Sequence, residues 1–184
     1  VYLLTSSENP IRTRIHCNHV LIDERRRISS FSILQNFAKK NVLYISLYFL
    51  SPGTLWCGNG NIANGTNELG SWKETDACCR THDMCPDIIE AHGSKHGLTN
   101  PADYTRLNCE CDEEFRHCLH NSGDTVSAAL VGRTYFTILG TQCFRLDYPI
   151  VKCKVKSTIL RRCKVYEFDT SAPKKYQWFD VLSY

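Results

Sequence analysis

Eleven cysteines in a chain of 184 residues constrain this fold more than any other feature, and four of them are spaced so as to dictate geometry. Cys78 and Cys85 lie seven positions apart, and so do Cys111 and Cys118. Seven residues is about two helical turns, roughly 10.5 Å, so each pair falls on one face of a helix. In two antiparallel helices, residues at one level have position numbers with a constant total. Cys78 with Cys118 gives the same total as Cys85 with Cys111, so both pairs fit one antiparallel register with two rungs. His82 falls between the rungs, roughly 40° from Cys78 at about 100° per residue, which aims its imidazole into the seam. Asp112 lies about 3 Å along the axis from the level of His82. Periodicity leaves open from which flank of its helix Asp112 projects.

The cysteine density argues for an oxidising compartment. A zinc cluster is the weaker alternative, because the sequence contains no CxxC and the pairing arithmetic already uses four of the cysteines. An odd count leaves one thiol over. The length suits one domain plus an extension with a modest core. The net charge of +3 is unevenly placed: residues 144–184 hold nine basic and four acidic side chains, leaving +5 there and −2 elsewhere. Such a basic region can meet anionic lipid, although a solvated face is the commoner role. No nucleic-acid partner is expected.

Residues 1–50 differ from the rest, with one cysteine, Cys17, and no clear period. Lys39 and Lys40 followed by the apolar run to Leu50 look like the basic and apolar parts of a secretory signal displaced from the terminus. About ten residues is too short to span a bilayer. The segment reads as a signal-like or pro-segment extension, a strand entering the core, or an artefact upstream of the coding start, and it carries no functional assignment.

Residues 51–184 are the expected functional domain, ending in a basic hairpin region, 144–184. Trp56-Cys57-Gly58-Asn59-Gly60-Asn61 is a loop whose alternating glycines let several carbonyl oxygens point at one centre, as a hard cation requires. The signal is weak alone and is strengthened by the carboxylate of Asp83. Asn64-Gly65-Thr66 is a glycosylation sequon. Ser71 and Glu74 form a capping box, so a first helix is expected from Trp72, ending near Cys85 because Pro86 removes an amide. Residues 87–99, with His92 and His96, read as a loop bearing exposed histidines. Asn100 with Pro101 reads as the start of a second helix running to about Asn121. A third helix is expected from Asp124 to Leu139, then a hairpin tied by Cys153 and Cys163, then an aromatic end that packs back on the body. The fold class is mainly α with a small β-hairpin, built on a disulfide-stapled antiparallel helix pair.

Singly, these residues have bland explanations. His82 could be a buried histidine bridging helices, Asp112 a surface carboxylate in the acidic run from Glu110 to Glu114, and Tyr135 a core aromatic. His82, Asp83, Asp112 and the glycine loop together favour a catalytic centre, whereas a role for Tyr135 rests mainly on the resemblance that follows. Cys-Cys-Arg-Thr-His-Asp-Met-Cys, preceded by Trp-Cys-Gly-x-Gly, resembles the secreted phospholipase A2 enzymes of the group III, bee-venom type. The resemblance spans Pro52 to Tyr184 and includes Pro-Gly-Thr-Leu-Trp-Cys-Gly, Ser-Lys-His-Gly-Leu-Thr-Asn and the terminal Tyr-Gln-Trp-Phe-Asp.

That resemblance implies calcium held by the Asp83 carboxylate and the main-chain carbonyls of Trp56, Gly58 and Gly60. It implies His82 as general base on a water that attacks the sn-2 ester of a glycerophospholipid, with Asp112 on the other ring nitrogen and Tyr135 supporting Asp112. The Gly58 amide would join calcium on the oxyanion, and no acyl-enzyme is expected. The implied disulfides are Cys57–Cys79, Cys78–Cys118, Cys85–Cys111, Cys109–Cys143 and Cys153–Cys163, leaving Cys17. A secreted, monomeric, venom-like glycoprotein is implied, working at a phospholipid membrane surface, with a receptor as a further partner. The chain departs from the family pattern in Asn59 between the loop glycines, in the placement of the sequon at Asn64, and in its first 50 residues. Two other classes compete: a silent binding module on the same scaffold, and a receptor ligand whose site is incidental. Retention of His82 and Asp83 speaks against the first, and calcium-independent receptor binding would mark the second.

Overall fold

A computed structural model describes residues 51–58 and 60–184. The expectations for residues 1–50, including Cys17, and for Asn59 lie outside the described residues.

Helix α1 (Lys73–Asp83) begins one residue later than expected, and its start is closed differently. Trp72 holds the cap position without a side-chain bond, and the carboxylate of Glu74 turns away to the amide of Gly123. The open amides of Glu74 and Thr75 instead donate to Asp124 Oδ2 at 2.9 and 3.2 Å. An ionised carboxylate both accepts from these donors and complements the positive end of the helix dipole, so it displaces the expected Ser71 cap. At the other end the amide of Met84 returns to Arg80 and that of Cys85 to His82, each at 3.1 Å, before Pro86 stops the helix.

Helix α2 (Cys109–Asn121) does not start at Asn100. That residue is fully buried. Its Nδ2 donates to the carbonyls of Ile89, Glu90 and Tyr104, and its Oδ1 accepts from Ala102, so it stitches the preceding segment together. Asn108 caps α2 instead, accepting from the amide of Glu110 at 3.0 Å. Between the helices run short ladders where only a loop was expected. β1 (Ile88–Ile89) pairs with β4 (Arg106–Leu107), and β2 (Ser94–Lys95) with β3 (Leu98–Thr99). His92 bonds to Asp103 in the open, whereas His96 bonds to Asp87 and stacks on Tyr176 with ring centroids 3.9 Å apart.

Helix α3 (Thr125–Gly132) runs directly into a π-helical segment, Arg133–Leu139, where one continuous helix was expected. β5 (Gln142–Asp147) pairs antiparallel with β8 (Lys175–Asp180), and β6 (Ile150–Lys156) with β7 (Cys163–Phe168). The described residues thus hold helices and four two-stranded sheets rather than the mainly α class with one hairpin. Two-stranded ribbons are marginal alone; here Cys109–Cys143 anchors β5 and Cys153–Cys163 ties β6 to β7, while Phe179, Tyr166 and Phe168 of these ribbons pack on the core.

That core gathers Trp56, Phe115, Leu119, Phe136 and Phe179 around the disulfides. All five expected bridges are present: Cys57–Cys79, Cys78–Cys118, Cys85–Cys111, Cys109–Cys143 and Cys153–Cys163. The two rungs join α1 to α2 with Cα separations of 5.7 and 6.0 Å. With ten cysteines so engaged, the zinc alternative has no thiolates to use among the described residues.

Candidate active site

His82 sits on α1 between the two rungs, and its side chain is 8% exposed. Its Nε2 lies 2.9 Å from Asp112 Oδ1, across from α1 on α2. The Tyr135 hydroxyl, from the π-helical segment, donates to the same oxygen at 2.8 Å. Oδ2 of Asp112 is buried with no hydrogen-bond partner among the described residues. An ionised carboxylate only accepts, so the imidazole proton belongs on Nε2 and Nδ1 keeps its lone pair. Burial first, and then the charge of Asp112, raise the Tyr135 hydroxyl well above its usual value, so it remains a protonated donor.

The imidazole is also held on its faces. Phe115 stacks on it with centroids 4.2 Å apart, and Tyr135 meets it edge-on at 5.0 Å. Phe115 was not singled out in the sequence, although it lies three positions after Asp112 and so one turn along the same face. A cavity of about 530 Å³ opens beside His82, lined by Phe115, both rungs, Met84, Arg80 and Thr66.

The glycine loop is tied to α1 at Cys57–Cys79, with a Cα separation of 5.1 Å, and Asp83 lies one turn beyond Cys79 on that helix. A second carboxylate fixes the loop from beneath. Asp76, fully buried, accepts from the amides of Leu55, Trp56 and Gly70 at 2.8–3.0 Å. It too escaped the sequence reading. Its spacing gave no signal, because Lys73 three positions before and Arg80 four positions after make Asp76 look like an ordinary surface carboxylate on a helix.

Asp83 reaches solvent, yet the protein crowded around it raises its carboxyl from 3.8 to about 6; the charge of His82 opposes the shift and that of Asp76 adds to it. A carboxylate under this strain gains from a neighbouring cation. Gly60 holds a positive φ of 82°, which bends the loop as a carbonyl cradle requires. The Gly58 amide donates to the Trp56 carbonyl at 3.2 Å, so two of the expected participants face one another here. Among the described residues no cluster of three or more His, Cys, Asp or Glu side chains is poised for a metal. A site of main-chain carbonyls plus one carboxylate is of another kind, and the donor set fits a hard cation such as calcium.

A family model described as Phospholipase A2 matches residues 50–147. The phospholipase A2 of Bombus pensylvanicus is 95% identical over 133 residues, covering 72% of this chain and 98% of that protein. That of Bombus terrestris is 86% identical over 133 residues, with the same coverage of 72% and 98%. That of Apis mellifera is 55% identical over 133 residues, 72% of this chain and 78% of its own length. With the motif residues present and the bee relatives this similar, the chain belongs to the phospholipase A2 family, in its group III branch, and is a phospholipid-hydrolysing enzyme.

Proposed function

We propose that this chain is a secreted, calcium-dependent phospholipase A2 that cleaves the sn-2 ester of glycerophospholipids at a membrane surface, releasing a fatty acid and a lysophospholipid. The bond from His82 Nε2 to Asp112 Oδ1 carries this reading, because it leaves Nδ1 free to take a proton from water. Asp112 fixes the tautomer and offsets the positive charge that appears on the ring. Tyr135 keeps Asp112 from turning away, and Phe115 limits the imidazole to one plane. Asp83 and the carbonyls of Trp56, Gly58 and Gly60 would hold calcium, which when bound supplies positive charge for the substrate phosphate and the ester oxyanion. For the Gly58 amide to serve the oxyanion it must leave the Trp56 carbonyl, a local turn of the loop.

In this reading residues 51–184 form the catalytic domain, with α1 and α2 antiparallel. Cys78–Cys118 and Cys85–Cys111 support that arrangement by joining the helices in reversed order. The protein acts as a monomer, with Asn64, which is exposed, available to carry a glycan. The basic β6–β7 ribbon supports contact with anionic lipid: Lys152, Lys154, Lys156 and Lys164 are exposed, and Ile159 at its tip is 88% exposed.

Fatty-acid release from phospholipid vesicles, with calcium and then with excess chelator, tests the proposal. Release of the sn-2 acyl chain that chelator abolishes is the expected result. Release from the sn-1 position, or release untouched by chelator, would overturn it.

A further inference from the structure

We propose that Arg162 is a positioning residue for hydrolysis: reaching from the turn before β7, it clamps the π-helical segment so that the Tyr135 hydroxyl stays on Asp112. The inference rests on the His82–Asp112–Tyr135 reading given above. π-Helical turns are rare and cluster at functional sites, because their wider hydrogen-bond ring is less favourable than the α form and needs outside support. Here the last ring is closed by the Gly140 amide on the Tyr135 carbonyl at 3.1 Å, five residues back. The carbonyls that follow lie at the open C-terminal end, where a helix has no further amides to offer.

Arg162 supplies those donors. Its Nη1 donates to the Phe136 carbonyl, and its Nη2 to the Thr137 carbonyl at 2.9 Å. A planar fork of fixed N–H groups suits two adjacent carbonyls in a way that a single ammonium cannot. The guanidinium lies on Gly140, where φ is +61° and where a Cβ would meet Nη2, so the clamp in this position uses the space a side chain would fill. Burial lowers the guanidinium pKa, opposed by Asp180 and Tyr104; the group is drawn inward rather than left in water.

The base of the arm is fixed as well. The Arg162 amide donates to Ser157 Oγ at 3.0 Å and its carbonyl accepts from Ser157 at 2.7 Å, while the next residue is bridged to Cys153. The C-terminal ribbon thus reaches the reacting imidazole through Arg162, the π-helical carbonyls, Tyr135 and Asp112. Relaxation of the segment toward an α register would rotate Tyr135 relative to Gly140 and pull its hydroxyl from Asp112.

The test is a double-mutant cycle on the full chain: Arg162→Ala and Arg162→Lys, each alone and combined with Tyr135→Phe. Arg162→Ala is expected to lower kcat about threefold, no more than loss of the Tyr135 hydroxyl, with KM and calcium affinity little changed. In the Tyr135→Phe background the same change costs less than about twofold, because both residues act through one bond. The proton NMR signal of His82 Nε2–H should move in Arg162→Ala and in Tyr135→Phe alike. Wild-type kcat in Arg162→Ala, or an equal loss with and without the Tyr135 hydroxyl, would overturn the proposal. Should the alanine variant not fold, the lysine variant carries the same cycle, with a smaller loss expected. His82→Gln in the same assay tests the parent reading by itself: retained turnover there refutes His82 as base, whatever Arg162 does.

Discussion

Both hydrogen bonds at the centre of the site end on a single oxygen, Asp112 Oδ1, so the residues there are not equal in weight. Asp112→Asn would offer His82 an amide that can donate as well as accept, and the favoured tautomer is lost; kcat should fall about a hundredfold or more, measured with fold and calcium affinity as controls. Tyr135→Phe leaves the bond to His82 in place and should cost only about three- to tenfold in kcat. Equal losses in the two variants would show that Asp112 does not act through the imidazole. For Asp83 the sign follows from a folded value of about 6 against an ordinary 3.8. The unfolded chain gives up this proton first as pH rises, so between about 4 and 6 the folded state holds more protons, and this group's contribution to stability falls across that window. A cation competing for the same carboxylate should bind about tenfold more weakly per pH unit below about 6, and with constant affinity above it. Calcium titrations followed by tryptophan fluorescence from pH 5 to 8 check this, and a flat profile would remove Asp83 from the ligand set. His82 was legible in the sequence because helical spacing alone aims it into the seam, whereas spacing gave Asp112 only its level and the family resemblance supplied its contact with the imidazole. Asp76 was not, because its partners are backbone amides about 20 positions upstream, and amides leave no trace in residue identity.

The elements themselves were legible to differing degrees, for one physical reason. Cysteine spacing reports helix faces, so α1 and α2 and their rungs followed directly. Helix starts depend on which acceptor reaches the open amides; at α1 that acceptor is one local sequence cannot nominate, and at α2 it is Asn108, chosen over the equally plausible Asn100. Ser71 has the composition of a cap, yet Asp124 takes the amides of Glu74 and Thr75. Asn100 also has it, but its side chain is consumed by three carbonyls. Asp124→Ala should therefore destabilise the protein by about 1 kcal/mol, while Ser71→Ala stays within about 0.5 kcal/mol in chemical denaturation. The reverse order would restore the local capping box. The π-helical register of Arg133–Leu139 was invisible for the same reason, since its support comes from Arg162, far along the chain.

At the scale of the whole molecule, the described residues form four ribbons of two strands, of which β5–β8 and β6–β7 pack on the one small core, and covalent bridges take the place of broad sheets. The charge asymmetry read from the sequence resolves into the β6–β7 ribbon, where Lys152 and Lys154 are partly offset by Glu167 while Lys156 and Lys164 remain exposed. Replacing Lys156 and Lys164 by Glu should weaken binding to anionic vesicles by about tenfold or more at low salt and leave binding to zwitterionic vesicles nearly unchanged. Equal effects on both vesicle types would place the contact elsewhere.

The reciprocal latch at the start of α1 bears on how the chain comes into being. A ribosome delivers the N-terminal side first, so Cys78 and Cys79 emerge neighbouring and unsorted while the carboxylate that completes their helix is still 50 positions from Glu74. Order in α1 is then imposed late, when the α2–α3 turn closes over it and Gly123 and Asp124 engage together. During oxidative folding the full chain carrying Asp124→Ala should pass through more mixed pairing of Cys78 and Cys79 than the unaltered chain, and equal mixing in both would show that the latch does not sort them.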